Sequence, residues 1–230
     1  MSKSKEQRFR DAARAGDLSL LKTLAAGTAL NINWQGAIGL TAFNSACWNG
    51  HLSVVQFFLT LTNIDVNKPT NDGFTPFFIA CQNGHKEVVS LLLADMRIDV
   101  NQPNNNQCTP LWSASRNGHL PVVQLILASG REVDTKAKSI AGKATSSNKT
   151  AAEIGRYQGS RGSSEKESQE EYIRRRQYGP LIATLIDSYE QNPQQVRTQL
   201  RKELGLAETW LESQLGMSLS ICSKCFPGET

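Results

Sequence analysis

A period of 34 residues runs through the first half of the chain and constrains its fold more tightly than any local pattern. The tripeptide Asn-Gly-His occurs at Asn49-Gly50-His51, Asn83-Gly84-His85 and Asn117-Gly118-His119, and these copies hold all three histidines of the 230 residues. Thr41, Thr75 and Thr109 keep the same spacing, as do Val54-Val55, Val88-Val89 and Val122-Val123. Ile64-Asp65-Val66-Asn67 returns as Ile98-Asp99-Val100-Asn101. An earlier, degenerate copy carries Gly16 in the glycine slot, Leu20-Leu21 in the valine slot, and Ile32 and Asn33 where Val66 and Asn67 follow. A fixed period of this length means one small unit copied head to tail, each copy burying its apolar face on the next.

Each unit reads as two helices. Thr75 and Thr109 are placed to cap the first helix, with Pro76 and Pro110 at the first helical position, where the missing N–H costs little. Thr41 lacks the following proline. The first helix carries small residues, Ala46-Cys47, Ala80-Cys81 and Ala114-Ser115, which let neighbouring helices approach closely. Gly50, Gly84 and Gly118 end it, at a left-handed position that suits glycine. Val88, Val89, Leu91 and Leu92 give the second helix one buried face. Short loops rich in Asn, Asp and Gly join the units.

These residues resemble the ankyrin repeat. The stretch from Gly73 to Asn101 follows that family's pattern in order: Thr-Pro start, small-residue pair, Gly-His turn, Val-Val, Leu-Leu. The resemblance covers residues 5–135 and implies an all-α solenoid of stacked helix-turn-helix units joined by short β-turn loops. The units are a degenerate repeat at 5–38, repeats at 39–72, 73–106 and 107–134, and a C-terminal capping repeat at 149–190. The resemblance also gives His51, His85 and His119 a structural role with Gly50, Gly84 and Gly118, in which each imidazole holds the turn and its neighbour. Repeats stack roughly 10 Å apart, too far for equivalent imidazoles to share a zinc ion bonded at about 2 Å. The family's Thr-Pro-Leu-His tetrapeptide is altered: its histidine slot holds Asn44, Phe78 and Trp112. The inter-repeat hydrogen bond of that slot is therefore in doubt, and Phe78 and Trp112 read as packing.

After the third copy the spacing lengthens, Gly118 to Gly159 being 41 residues. The extra residues fall in the linker 133–150. Residues 150–159 read as a first helix ending at Gly159, and Leu181, Ile182, Leu185 and Ile186 as the apolar set of a second. An insertion over about 160–178 separates them. It reads as partly helical, with a Ser164–Glu167 capping pattern, Glu170–Arg174 and Glu171–Arg175 pairs, and Arg174 to Arg176 on a solvated face. Residues 191–230 form a helical extension. Asn192-Pro193 starts a helix with the stripe Val196, Leu200 and Leu204, ended by Gly205, and Trp210, Leu211 and Leu215 follow at near-helical spacing. The extension is expected to pack on the capping repeat, or else to bind a partner.

The net charge of +4 and 39% hydrophobic content describe a chain that can bury a core and lacks the basic stripe of a nucleic-acid binder. Five cysteines without regular spacing suggest reduced thiols. Cys222 and Cys225 form a single CxxC with no second half, so no metal and no cofactor are expected. No apolar run is long enough to span a membrane, and the N-terminus lacks a signal core. A soluble, monomeric, cytoplasmic protein is expected, with the nucleus as the other location. Gly142-Lys143-Ala144-Thr145 lacks phosphate-loop spacing, and no catalytic constellation stands out, so no enzyme is expected.

The resemblance implies a protein-interaction module whose contacts lie on loop tips and on the exposed ends of the first helices. Those positions are Ile38, Leu40, Trp48 and Asn49; Asn71, Asp72, Phe74, Gln82 and Asn83; and Asn105, Asn106, Cys108, Arg116 and Asn117. Trp48 and Arg116 are of hot-spot type, while Trp48 and Phe74 could equally cover seams between repeats. The alternative is an adaptor or regulatory subunit that recruits a second partner through the charged insertion and the extension.

Overall fold

The computed structural model describes residues 3–26, 30–140, 148–162 and 167–206. Among them are eleven helices and no strand, as the repeat predicts. Four helix pairs follow in register: α1 (Lys5–Ala15) with α2 (Leu18–Ala25), α3 (Ala42–Trp48) with α4 (Leu52–Leu59), α5 (Pro76–Asn83) with α6 (Lys86–Ala94), and α7 (Pro110–Arg116) with α8 (Leu120–Ala128). Then come α9 (Ala151–Ser160), α10 (Gln169–Gln191) and α11 (Pro193–Glu203). The first helices stack as one row, α1, α3, α5, α7 and α9, and the second helices as another.

The core is the 34-residue period made solid. Phe9, Phe43, Phe77 and Leu111 are all buried, and so are Ala12, Ala46, Ala80 and Ala114. The second helices add Leu21, Val55, Val89 and Val123, and then Leu24, Phe58, Leu92 and Ile126. Each such large side chain stabilises by roughly 1.5–3 kcal/mol when removed from water. Phe58 joins adjacent units, its ring lying 5.6 Å from Phe9 edge-on and 5.4 Å from Phe43.

Helix starts and stops follow the sequence signals. Thr41, Thr75, Thr109 and Thr150 accept the backbone N–H three residues on, with Pro76 and Pro110 at the first turn. Gly16, Gly50, Gly84 and Gly118 have φ of 76°, 69°, 74° and 71°, the left-handed turn between paired helices.

The C-terminal end differs from expectation. Only residues 161–168 separate α9 from α10, so most of the expected insertion is the first three turns of one continuous 23-residue helix. Its cap is Ser168, which accepts the Glu171 N–H; Ser164 of the expected capping pair lies outside the described residues. Gly159 does not end a helix. It lies within α9, and a Cβ there would stand 2.6 Å from Pro180 Cδ. Likewise a Cβ at Gly155 would stand 2.9 Å from the Gly179 carbonyl oxygen. These glycines let α9 and α10 lie closer than any side chain would permit.

Neither expected i, i+4 pair forms. Arg175, only 3% exposed, pairs instead with Glu167 and donates to the Gln158 carbonyl at 2.9 Å and to its amide oxygen at 2.8 Å. The side chain of Arg174 reaches the Asn117 carbonyl oxygen at 3.0 Å. The arginine run is therefore not one solvated face. α11 starts at Pro193 with Asn192 as cap, buries Leu200, and packs on α8 and α10. Trp210, Leu211, Leu215, Cys222 and Cys225 lie outside the described residues.

Candidate partner-binding face

Three ladders cross the repeats and fix the face that the first helices and loop tips make. The first uses the histidines. Nε2 of His51, His85 and His119 stands 2.9, 2.8 and 2.9 Å from the carbonyl oxygens of Arg14, Trp48 and Gln82. A carbonyl only accepts, so each ring carries its proton on Nε2. Each ring also lies on the turn glycine of the preceding repeat: a Cβ at Gly16 would stand 2.9 Å from His51 Nδ1, and one at Gly50 2.6 Å from His85 Nδ1. The glycine and the next repeat's histidine are thus one joint. Burial, with Arg174 nearby, lowers the His119 pKa from 6.5 to about 4. Among the described residues, no group of three or more His, Cys, Asp or Glu side chains is placed to hold a metal ion.

The second ladder uses asparagines. Asn33, Asn67 and Asn101 donate to the carbonyls of Asn63, Arg97 and Glu132, and accept from the N–H of Asp65, Asp99 and Asp134. The third joins the loops. The N–H groups of Asn71, Asn105 and Ile140 donate to the carbonyls of Ile38, Asp72 and Asn106.

These ladders sort the expected contact residues. Asn71 and Asn105 are exposed, but their side-chain amides donate to Ala37 and Asn71 carbonyls, so they tie the loops together. Asn49 and Asn83 donate back to Ser45 and Ile79, and Asn117 donates to Gln82. Phe74 is half-buried, with its ring 5.0 Å from Phe78. Cys108 is buried and cannot meet a partner; burial pushes its thiol up to about 11. Asp72 and Asn106 stay exposed at the tips, and Leu40 and Gln82 are half-buried. The altered histidine slot makes an inter-repeat bond in one of three units, at Trp112, while Asn44 bonds within its own repeat. Asn44 Nδ2 donates to the Lys68 carbonyl at 3.3 Å and Trp112 Nε1 to that of Lys149 at 3.0 Å.

What remains is a row at the ends of the first helices, one residue per repeat: Arg14, Trp48 and Arg116 are exposed, and Gln82 between them is half-buried. Trp48 is 48% exposed, and Ile38 above it 67%. With Leu40 they form the apolar wall of a notch of about 390 Å³, whose other wall is Arg10 and Arg14. Arg10 lies 5.4 Å over the Trp34 ring and 3.7 Å from Asp11. Among the described residues, Arg14 and Arg116 make no ion pair, and Arg116 stacks 5.7 Å over Trp112. Beyond Arg116 a polar cleft of about 330 Å³ continues to Arg161 and Glu171. Sequence reasoning missed Arg10 and Arg14 because their repeat is degenerate, yet Arg14 stands one period before Trp48.

A family model for ankyrin repeats in three copies matches residues 9–104 and 46–137. No curated protein matches the chain.

Proposed function

Because the chain belongs to the ankyrin-repeat family, whose members are generally protein-interaction modules, we propose that it is a non-catalytic module binding a protein partner on its concave face. That face is the row of first-helix ends from α1 to α7 with the loop tips beside it. One observation carries the reading: an exposed tryptophan and isoleucine share a notch that the fold does not need. The ladders hold the backbone beneath them, while the side chains of Trp48, Ile38 and Arg14 stay exposed on the face. A solenoid leaves such positions free to vary with the ligand.

The adaptor alternative, with a second partner on the C-terminal extension, has less support. The described part of that extension is committed to the stack, with Leu200 buried and Arg201 bonded to the Ala128 carbonyl. No helix among the described residues is long and apolar enough to cross a membrane.

The test is affinity capture with the full chain, with a Trp48→Ala, Arg116→Ala double variant, and with a chain ending at Leu206. A protein captured by wild type and lost with the double variant, at unchanged melting temperature, supports the concave face. A protein kept by that variant and lost with the truncation moves the function to residues 207–230.

A further inference from the structure

We infer that the partner presents an extended acidic segment with one apolar anchor, held between Arg14 and Arg116. This rests on the concave-face reading and gives the ligand its chemistry. Arg14, Trp48, Gln82 and Arg116 occupy the same position in four consecutive repeats, so their side chains form one line across the stack. The line reads cation, aromatic, amide, cation. Neither end arginine has an acidic partner among the described residues. The other arginine of the notch, Arg10, is shared between Trp34 and Asp11. Acids stand near the row at two places: Asp72 at the tips, and Glu171 in the cleft beyond Arg116, where Arg161 also lies. The face is thus positive at both ends and apolar near one of them.

The spacing sets the length of the segment. Packed helices lie about 8–10 Å apart, so Arg14 and Arg116 stand roughly 24–30 Å apart along the row. An extended chain rises about 3.3 Å per residue, so some seven to nine residues bridge the two arginines. Trp48 is one repeat from Arg14, about three residues along. The segment therefore carries an acid, an apolar residue about three positions on, and a second acid about five or six positions beyond. The apolar residue enters the notch between Ile38 and Trp48. The acids meet planar guanidinium groups, which match carboxylates with two parallel hydrogen bonds. Gln82, between the two halves, is half-buried with its amide oxygen covered, so the segment passes over it without an ionic contact.

A random twelve-residue peptide library displayed on phage and selected against the full chain tests this. The expected winners share the acid, apolar, acid pattern. A synthetic peptide of that consensus then loses at least tenfold in affinity on Arg14→Glu and again on Arg116→Glu. Replacing the matching peptide acid by lysine restores binding to the charge-reversed protein. That rescue alters only the ligand, so it does not depend on the fold of a variant. Neutral or basic winners overturn the acidic segment. If such winners still lose binding on Trp48→Ala, the concave face stands and only the charge assignment falls. Binding that survives Trp48→Ala, Arg14→Glu and Arg116→Glu alike overturns both.

Discussion

The middle of the molecule and its C-terminal end solve the same packing problem by different means. In α3 to α8 most inter-repeat bonds are made by residues that recur each 34 positions: a histidine on a carbonyl, an asparagine across the loop, an arginine at a helix end. Arg97 reaches back to the Leu59 carbonyl at the end of α4, and Arg131 to that of Ile98. At the C-terminal end the same bonds come from residues outside the period. Arg174, from α10, takes the Asn117 carbonyl where a fourth Gly-His joint would lie, and its backbone covers Gly118. Arg201, from α11, takes the Ala128 carbonyl at the end of α8, as Arg97 does for α4. The stack thus ends by imitation: two helices of unrelated sequence present arginines where another repeat would present its own ladder. A repeated joint is redundant, because its neighbours carry copies; an imitated joint has none.

The largest expected effect falls on that unrepeated end. Arg175 and Glu167 are both buried, and removing one leaves the other charge uncompensated. Glu167→Ala should destabilise by about 3–5 kcal/mol. Replacing both, as Arg175→Met with Glu167→Leu, should recover most of it. Hydrogen exchange should show the loss confined to α9–α11 and the adjoining turns of α7 and α8, with α3–α6 kept. Loss spread evenly over all helices would mean that the end and the middle are one unit.

In the middle, Gly84→Val attacks a repeated joint. A β-branched residue in the left-handed region costs more than the roughly 1–2 kcal/mol of an ordinary one, and its Cβ displaces the His119 ring, forfeiting a bond worth about 1 kcal/mol. A loss of about 3 kcal/mol in a thermal or denaturant melt is expected. Next in size is acid sensitivity. His119 is kept neutral with its pKa near 4, whereas the unfolded chain protonates it near 6.5. Between these values the unfolded state binds the extra proton, so stability is full above about pH 6.5 and falls as pH drops toward 4. The expected loss is about 2 kcal/mol by pH 5. His119→Gln should flatten that part of the profile, and a profile unchanged by it would sink the assignment.

The sequence showed most of the middle and little of the end, for one physical reason. A period multiplies evidence: a glycine at one place could be anything, but a glycine in a fixed register beside three histidines and three threonines is a joint. Single residues carry no such signal. Nothing in the run Arg174 to Arg176 says that one guanidinium is buried in an ion pair and its neighbour caps a distant carbonyl. Gly159 looked like a turn glycine because its neighbours did, yet it serves helix contact against Pro180. The face shows the same division. Trp48, Ile38 and Arg116 were legible as open positions; Cys108 was not legible as buried, because alternation along a loop does not reveal which side the next repeat covers. Arg14 became visible only when the degenerate first repeat proved to hold the register.

The smallest prediction concerns the one slot where middle and end meet. Two residues before each capping threonine the backbone is left-handed: Gly39 at φ 74°, Gly73 at 83°, Gln107 at 58° and Asn148 at 57°. All four close the same loop, their N–H groups donating to Gly36, Thr70, Asn104 and Ser139. In the first three the bonded residues are three apart in sequence; in the fourth, Ser139 and Asn148 are nine apart, which accounts for most of the lengthening seen in the sequence. Glutamine is strained at such an angle by about 1–2 kcal/mol, offset in part by the roughly 0.5–1 kcal/mol that glycine adds to the entropy lost on folding. Gln107→Gly should therefore stabilise by about 0.5 kcal/mol, read as a rise in melting temperature. Asn148→Gly should change little, since asparagine tolerates the left-handed region through its short polar side chain. Equal responses at the two positions would mean that the fourth loop does not close as the first three do, and that the imitation of the repeat begins earlier than α10.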